Sequence, residues 1–202
     1  DTTADITAKE ITINGATVEG SKVYDGTTDA KITNAGTLSD NYDGENLTIV
    51  TGSAAYDNKN VGTGKTVAFT GFALAGDAAG NYTLASQPAD TAADITVEEI
   101  TINGAAVEAS RIYDGTTDAK ITNAGAPSVN YDGENLKVAA GKAAYDNKNV
   151  GKGKAVTFTG FALEGDAAAN YKLTAQPEAV TADITVKEIK IHEDGLMLIG
   201  KN

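Results

Sequence analysis

In the stretch TVAFTGFAL, Val67 and Phe69 share one parity and Phe72 and Leu74 the other, with Gly71 where the phase changes. Strict alternation of apolar and polar residues marks a strand with one buried face, so the break predicts a bulge or sharp bend at Gly71. AVTFTGFAL repeats the pattern with Val156, Phe158, Gly160, Phe161 and Leu163. A second kind of break separates Ile6 and Ala8, on even positions, from Ile11 and Ile13, on odd ones. It recurs between Ile95 and Val97 and the pair Ile100 and Ile102, and between Ile184 and Val186 and the pair Ile189 and Ile191. Because a one-residue slip turns a strand over, each break reads as the last strand of one unit handing over to the first of the next. Thr, Val and Ile are frequent, and the turn signals NG, DG and GTG divide each unit into roughly seven or eight short strands. The best helical candidates, AGDAAGN at 75–81 and EGDAAAN at 164–170, amount to one turn each, entering the strands that carry Tyr82 and Tyr171. The pattern predicts an all-β chain of two tandem small β-sandwich (Ig-like) domains. A β-grasp-like unit, in which a helical segment crosses the sheet, is the alternative.

The repeat fixes the organisation. Tyr24, Tyr42, Tyr56, Tyr82 and Pro88 return 89 positions later as Tyr113, Tyr131, Tyr145, Tyr171 and Pro177, without insertion or deletion. The two copies are roughly 70 per cent identical. The segment ADIT followed by a Glu-Ile-containing run occurs three times, at Ala4, Ala93 and Ala182, so two whole units carry three junctions. The expected division is 1–9 as the end of a preceding repeat, 10–97 and 98–186 as two repeat domains, and 187–202 as the start of a further repeat or a C-terminal tail. In that last stretch, EDG between IKI and LMLI reads as a turn between short strands. A unit of this size can bury a modest core, since domains of about 60 residues already fold alone.

Composition then removes function classes. Sixteen Lys and Arg against 28 Asp and Glu give a net charge of −12. Such a balance disfavours phosphate backbones and anionic membrane surfaces, so no nucleic-acid partner is expected. No run of 18 apolar residues occurs, and no membrane insertion is expected. The opening DTTADITAKE lacks the basic and apolar regions of a signal peptide, which places any export signal or anchor outside this chain. With no cysteine, packing or another crosslink must do what disulfides do elsewhere.

Candidate chemistry centres on Tyr-Asp-Gly. The motif occurs at Tyr24, Asp25 and Gly26, again at Tyr113, Asp114 and Gly115, and in a second form at Tyr42 and Tyr131. A strand-end Tyr can bury its ring while Asp-Gly supplies a side-chain acceptor and a residue tolerant of positive φ, so the first pair reads as structural turn motifs. On this reading Val23 and Tyr24 enter the core, Asp25 and Gly26 turn the chain, and Thr28 to Ile32 lead out along the next strand. Tyr42, Asp43, Tyr131 and Asp132 are the candidate ligand contacts, as an aromatic platform beside carboxylates. Asp25, Asp29, Asp43 and Glu45, with Asp114, Asp118, Asp132 and Glu134, are too sparsely spaced for a calcium loop, and Lys59 stands where a ligand oxygen would be needed in DNKNVG. NVGTGKT lacks the first Gly of a phosphate loop, its place being Lys59, and reads as a Gly-rich turn with exposed lysines. No metal and no cofactor is expected. The lone histidine, His192, lies outside both units and there is no cysteine, so the usual nucleophile and base pairs cannot be assembled. A carboxylate pair could still do glycosidic chemistry, but a site duplicated in each small repeat is unusual for an enzyme, and no enzyme is expected. The sequons at Asn46 and Asn81 are lost in the second copy at Lys137 and Lys172 and read as accidental. Lys31 and Lys120 are candidates for a Lys to Asn or Asp crosslink, but their phase points them outward.

The combination KVYDGTTDAKI, YDNKNVGTGKTVAFTGFALAGDAAGNYTL and closing ADIT resembles the YDG (tyrosine-aspartate-glycine) repeat of bacterial surface proteins, related to the mostly-β glycine-rich repeats found beside it. The resemblance covers about residues 10–186; the proline common at the unit junction is missing. It implies tandem repeats in large adhesin-like or haemagglutinin-like secreted proteins, on the extracellular side of the bacterial cell surface. The expected function is a non-catalytic stalk or spacer whose partners are neighbouring repeats of the same chain, with the chain a monomer. The alternative is a module that binds glycan or a host surface protein through exposed Tyr and Asp. Drift of TIVTGSA into KVAAGKA, while the turn motifs stay fixed, fits a spacer.

Overall fold

The computed structural model describes residues 2–190 and is all-β: 48% of the chain is strand, and helical structure is confined to short 3-10 turns. The expected EDG turn, the strands flanking it and His192 lie outside the described residues, as do the side chains of Glu45 and Glu134. The chain divides into two compact units. One holds Asp1–Glu99 together with Tyr131–Asn135 and Asp166–Lys172; the other holds Ile100–Asn130, Leu136–Gly165 and Leu173–Asn202. Two short segments of the second sequence copy therefore belong to the first unit.

In the first unit a five-stranded sheet runs in the order Ser21–Val23, Thr91–Thr96, Gly62–Thr70, Ser53–Tyr56, Asp29–Ala30. The pairing of Thr91–Thr96 with Ser21–Val23 is parallel and the others are antiparallel. Alternation buries Val67 and Phe69 on one face with Ala54, Tyr56, Ala93 and Ile95. Register sets Phe69 opposite Ala54 and Val67 opposite Tyr56, so a large side chain meets a small one or a ring meets a branched one across the strands. At Gly71 (φ +73°) the chain leaves this sheet, and Ala73–Ala75 pairs instead with Thr48–Val50. The predicted phase change is thus a change of sheet, and the Phe69 and Phe72 rings on either side of it meet edge to face at 5.7 Å. The corner is tight, because Gly52 lies directly against the backbone of Thr70, Gly71 and Phe72.

A smaller cluster of Ile11, Leu47, Ala78 and Tyr82 closes the other end of the copy. There Lys9–Ile11 pairs in parallel with Tyr82–Leu84, and the AGDAAGN stretch contributes the single 3-10 turn Ala79–Asn81, as its length predicted. The β-grasp alternative needs a helix crossing the sheet, and the described residues contain nothing longer than such a turn. The second unit repeats the five-stranded order with Ser110–Ile112, Val180–Thr185, Gly151–Thr159, Lys142–Tyr145 and Asp118–Ala119. Its core gathers Ile102, Tyr145, Val156, Phe158, Phe161 and Ile184.

Two expectations are corrected. Val23 is not in the core: it is 53% exposed, as Ile112 is exposed in the second copy. Lys22 and Tyr24 share the covered face of that edge strand, and alternation sends Val23 outward. Thirteen strands, several of two or three residues, also run from Lys9–Ile11 to Thr91–Thr96, more than the seven or eight expected. The excess arises because Asp29–Ala30 and Ile32–Asn34, expected as one strand, pair in different sheets. The apolar phase break between Ile95 and Ile100 is a hand-over between strands, with Ile95, Ile100 and Ile102 all buried.

Candidate functional site

The first Tyr-Asp-Gly motif builds a turn and then reaches away from it. Asp25 Oδ1 accepts the Thr27 N–H at 2.9 Å, the Thr27 hydroxyl at 2.8 Å and the Lys22 ammonium at 2.8 Å. This is an Asx-type turn clamped by a cation, the Lys22 ammonium, which lies over the Tyr56 ring at 5.6 Å from its centroid. In the second unit Asp114, Thr116 and Arg111 do the same, with Arg111 at 5.0 Å from the Tyr145 ring. Burial raises the Asp25 carboxyl, but Lys22 and the Thr27 donors outweigh it and the net shift is downward; at Asp114 the Thr116 N–H leads the lowering. Gly26 has φ +77° and Gly115 φ +87°, a region that favours glycine.

Tyr24 itself is 1% exposed and ends in a polar cluster within the first unit. Its hydroxyl donates across both oxygens of Asp132, at 2.9 and 2.8 Å. Tyr171 donates to Asp132 Oδ2 at 2.8 Å and accepts the Tyr131 N–H at 2.9 Å, and the Lys59 ammonium pairs with Asp132 Oδ1. The Asp132 side chain is only 2% exposed. Tyr131 and Tyr171 flank the Tyr24 ring edge to face at 6.3 and 5.3 Å, and a Cβ on Gly26 would stand 2.8 Å from Tyr131 Cβ. Beside them the buried Asn170 accepts the Val61 N–H at 2.9 Å and donates to Asn60 Oδ1 at 3.2 Å.

The charges in this cluster support one another. Burial works against ionisation of Asp132, yet Lys59 and the two tyrosine hydroxyls hold its carboxyl below the usual carboxylate range. Burial, then the adjacent carboxylate, pushes both Tyr24 and Tyr171 up, and pairing with Asp132 raises Lys59. The lowered carboxylate contributes stability that is present above its unfolded value near pH ~4 and is lost as pH falls through the folded one. The raised tyrosines and lysine contribute stability that is full below about pH 10 and drains as pH rises through their folded values. Urea midpoints of the first unit should therefore show a plateau that falls off on both the acid and the alkaline side. Asp132→Asn should flatten both limbs, and an unchanged profile in that variant would show the cluster to be energetically silent.

The other expected sites are placed as follows. Tyr42 is 76% exposed, and Asp43 accepts the Tyr82 hydroxyl at 2.7 Å. Tyr131 is 48% exposed, with Asp132 in the cluster just described. The structure does not assemble the scattered carboxylates: among the described residues no three Asp, Glu or His side chains converge as metal ligands. The Gly-rich turn is held by Asp94, whose carboxylate accepts the Gly64 N–H at 2.7 Å, with Asp183 and Gly153 matching it at 2.8 Å. Of its lysines, Lys152 is exposed as expected, but Lys65 and Lys154 are nearly covered, paired with Asp57 and Asp146. Lys31 and Lys120 point outward, on Glu19 and Glu108. Sequence reasoning missed Lys59, Asn60, Asn170 and Tyr171 as members of one group. Their signal was identity between the copies, in YDNKNVG and NY, without an apolar role to account for it.

Fold and cluster together define an all-β tandem-repeat protein whose repeated polar motifs are spent largely on internal turns and contacts. The chain belongs to the YDG domain family, the family's sequence model matching residues 7–93 and 96–179. No curated protein and no solved structure is significantly similar to it. Among the described residues no helix is long and apolar enough to cross a membrane.

Proposed function

We propose that the chain is a pair of non-catalytic stalk or spacer repeats from a bacterial, adhesin-like protein of the cell surface, acting outside the cell. One observation carries this reading: the motif residues identical in the two copies hold the chain to itself. Tyr24 is buried on Asp132, Asp25 clamps its own turn, and Asp94 holds the Gly-rich turn. The meeting of Phe69 and Phe72 across a change of sheet supports a small β-sandwich, Ig-like in size, for each copy. An open groove of about 640 Å³ beside Asp118–Ala124 and Ala140–Ala143 has no aromatic side chain on which a sugar ring could stack.

The exposure of Tyr42 favours a second reading, a glycan- or host-protein-binding module gaining avidity from repetition. A glycan array and a panel of extracellular matrix proteins separate the two. The spacer reading expects no saturable binding by the full chain. Binding lost in Tyr42→Ala and kept in Thr48→Lys would establish the second reading instead.

A further inference from the structure

Each sequence copy contains the residues of both sides of the Asp132 cluster, and within the first unit only one set of each is joined. The positions of Tyr131, Asp132, Asn170 and Tyr171 are taken in the first copy by Tyr42, Asp43, Asn81 and Tyr82. That half is already shaped: Tyr82 donates to Asp43 at 2.7 Å and accepts the Tyr42 N–H at 3.1 Å, the same bonds that Tyr171 makes around Asp132. Yet Tyr42, Asp43 and Asn81 are exposed, where Asn170 and the Asp132 side chain are buried.

The complementary positions, Tyr24, Lys59, Asn60 and Val61, are taken in the second copy by Tyr113, Lys148, Asn149 and Val150. Tyr113 is half-buried where Tyr24 is fully buried, and Lys148, Asn149 and Val150 are exposed. The Tyr113 hydroxyl and the Lys148 ammonium have no partner among the described residues. One half is a carboxylate braced by a tyrosine; the other supplies a tyrosine hydroxyl and a lysine ammonium.

We propose that these two open halves are docking sites for further copies of the same repeat. The Asp43 and Tyr82 half receives the Tyr and Lys of another copy, and the Tyr113 and Lys148 half reaches another copy's Asp. The two halves match chemically: each carries the residues that satisfy its counterpart around Asp132, carboxylate against ammonium and ring against ring. It rests on the tandem-array reading for the source of the partner, and goes beyond it by naming the contact. A monomer is the expectation from sequence alone; two halves on one chain that fit each other give instead head-to-tail, open-ended association.

The full chain should therefore show a weight-average mass that rises with concentration in sedimentation equilibrium, up to about 1 mM, the effective concentration that a short tether supplies within one chain. Asp43→Lys and Lys148→Asp should each weaken association by roughly 30-fold or more, as removing one partner of a covered ion pair does. Mixing the two variants should restore it, because each charge then meets its opposite. Both positions are exposed, and far-UV circular dichroism should show both variants folded. A mass constant across the range, or association indifferent to both substitutions, overturns the proposal. A chain that neither associates nor binds any glycan sinks this inference and leaves the spacer reading standing, whereas saturable glycan binding with intact association does the reverse.

Discussion

An Asp132→Ala chain will lose about 2–4 kcal/mol from the first compact unit, because two covered tyrosine hydroxyls and an ammonium lose one shared acceptor. Asp43→Ala, at the same place in the other copy, will leave stability close to the parent chain, since its carboxylate faces solvent and accepts Tyr82 without the Tyr24 and Lys59 counterparts. The two substitutions are chemically identical and differ only in what surrounds them. Urea unfolding compares them, and hydrogen exchange at the Val61 and Tyr131 amides, which donate to Asn170 and Tyr171, locates the loss. Asp132→Asn, which keeps an acceptor, should fall between. Equal midpoints for the two alanine variants would remove the cluster from any account of stability.

Gly52→Ala is the second large effect. A Cβ there would stand 2.0 Å from the Thr70 carbonyl oxygen and 2.6 Å from Gly71 C and Phe72 N. All three are backbone atoms of the corner where the chain changes sheet, so no side-chain rotation relieves the clash. The corner must open, costing about 3 kcal/mol or more. Gly141→Ala should act equally on the second unit, where the Thr159 oxygen is 2.0 Å away. Gly80→Ala is the control, having no atom within 4 Å of its Cβ and alanine at the corresponding Ala169. Thermal unfolding that ranks Gly80→Ala with Gly52→Ala would refute the account of the corner.

What the sequence disclosed was local. The Val67 and Phe69 alternation, its break at Gly71 and the break between Ile95 and Ile100 follow from period two alone, and those features could be read in advance. Val23 was misread because hydrophobicity outweighed parity: in SKVYDG the inward pair is Lys22 and Tyr24, and a basic residue at that position in both copies was the available clue. The Asp132 group could not be read. Its members lie far apart in sequence, Tyr24 and Asp132 being 108 positions apart, and identical motifs have different surroundings, so Tyr24 is buried and Tyr113 is not. Repetition reveals which residues matter together without saying which copy supplies each of them.

The parallel pairing of Ser21–Val23 with Thr91–Thr96 has a mechanical consequence. Tension along the chain pulls Ser21–Val23 toward its beginning and Thr91–Thr96 toward its end, so it slides two side-by-side strands past each other. Lys9–Ile11 and Tyr82–Leu84, also parallel, are loaded in the same sense. Hydrogen bonds loaded in this direction share the tension and break together rather than one after another. Forced opening is governed by the unfolding rate, and the first copy carries its resistance to stretching in these two parallel pairs, each joining a strand near its beginning to one near its end.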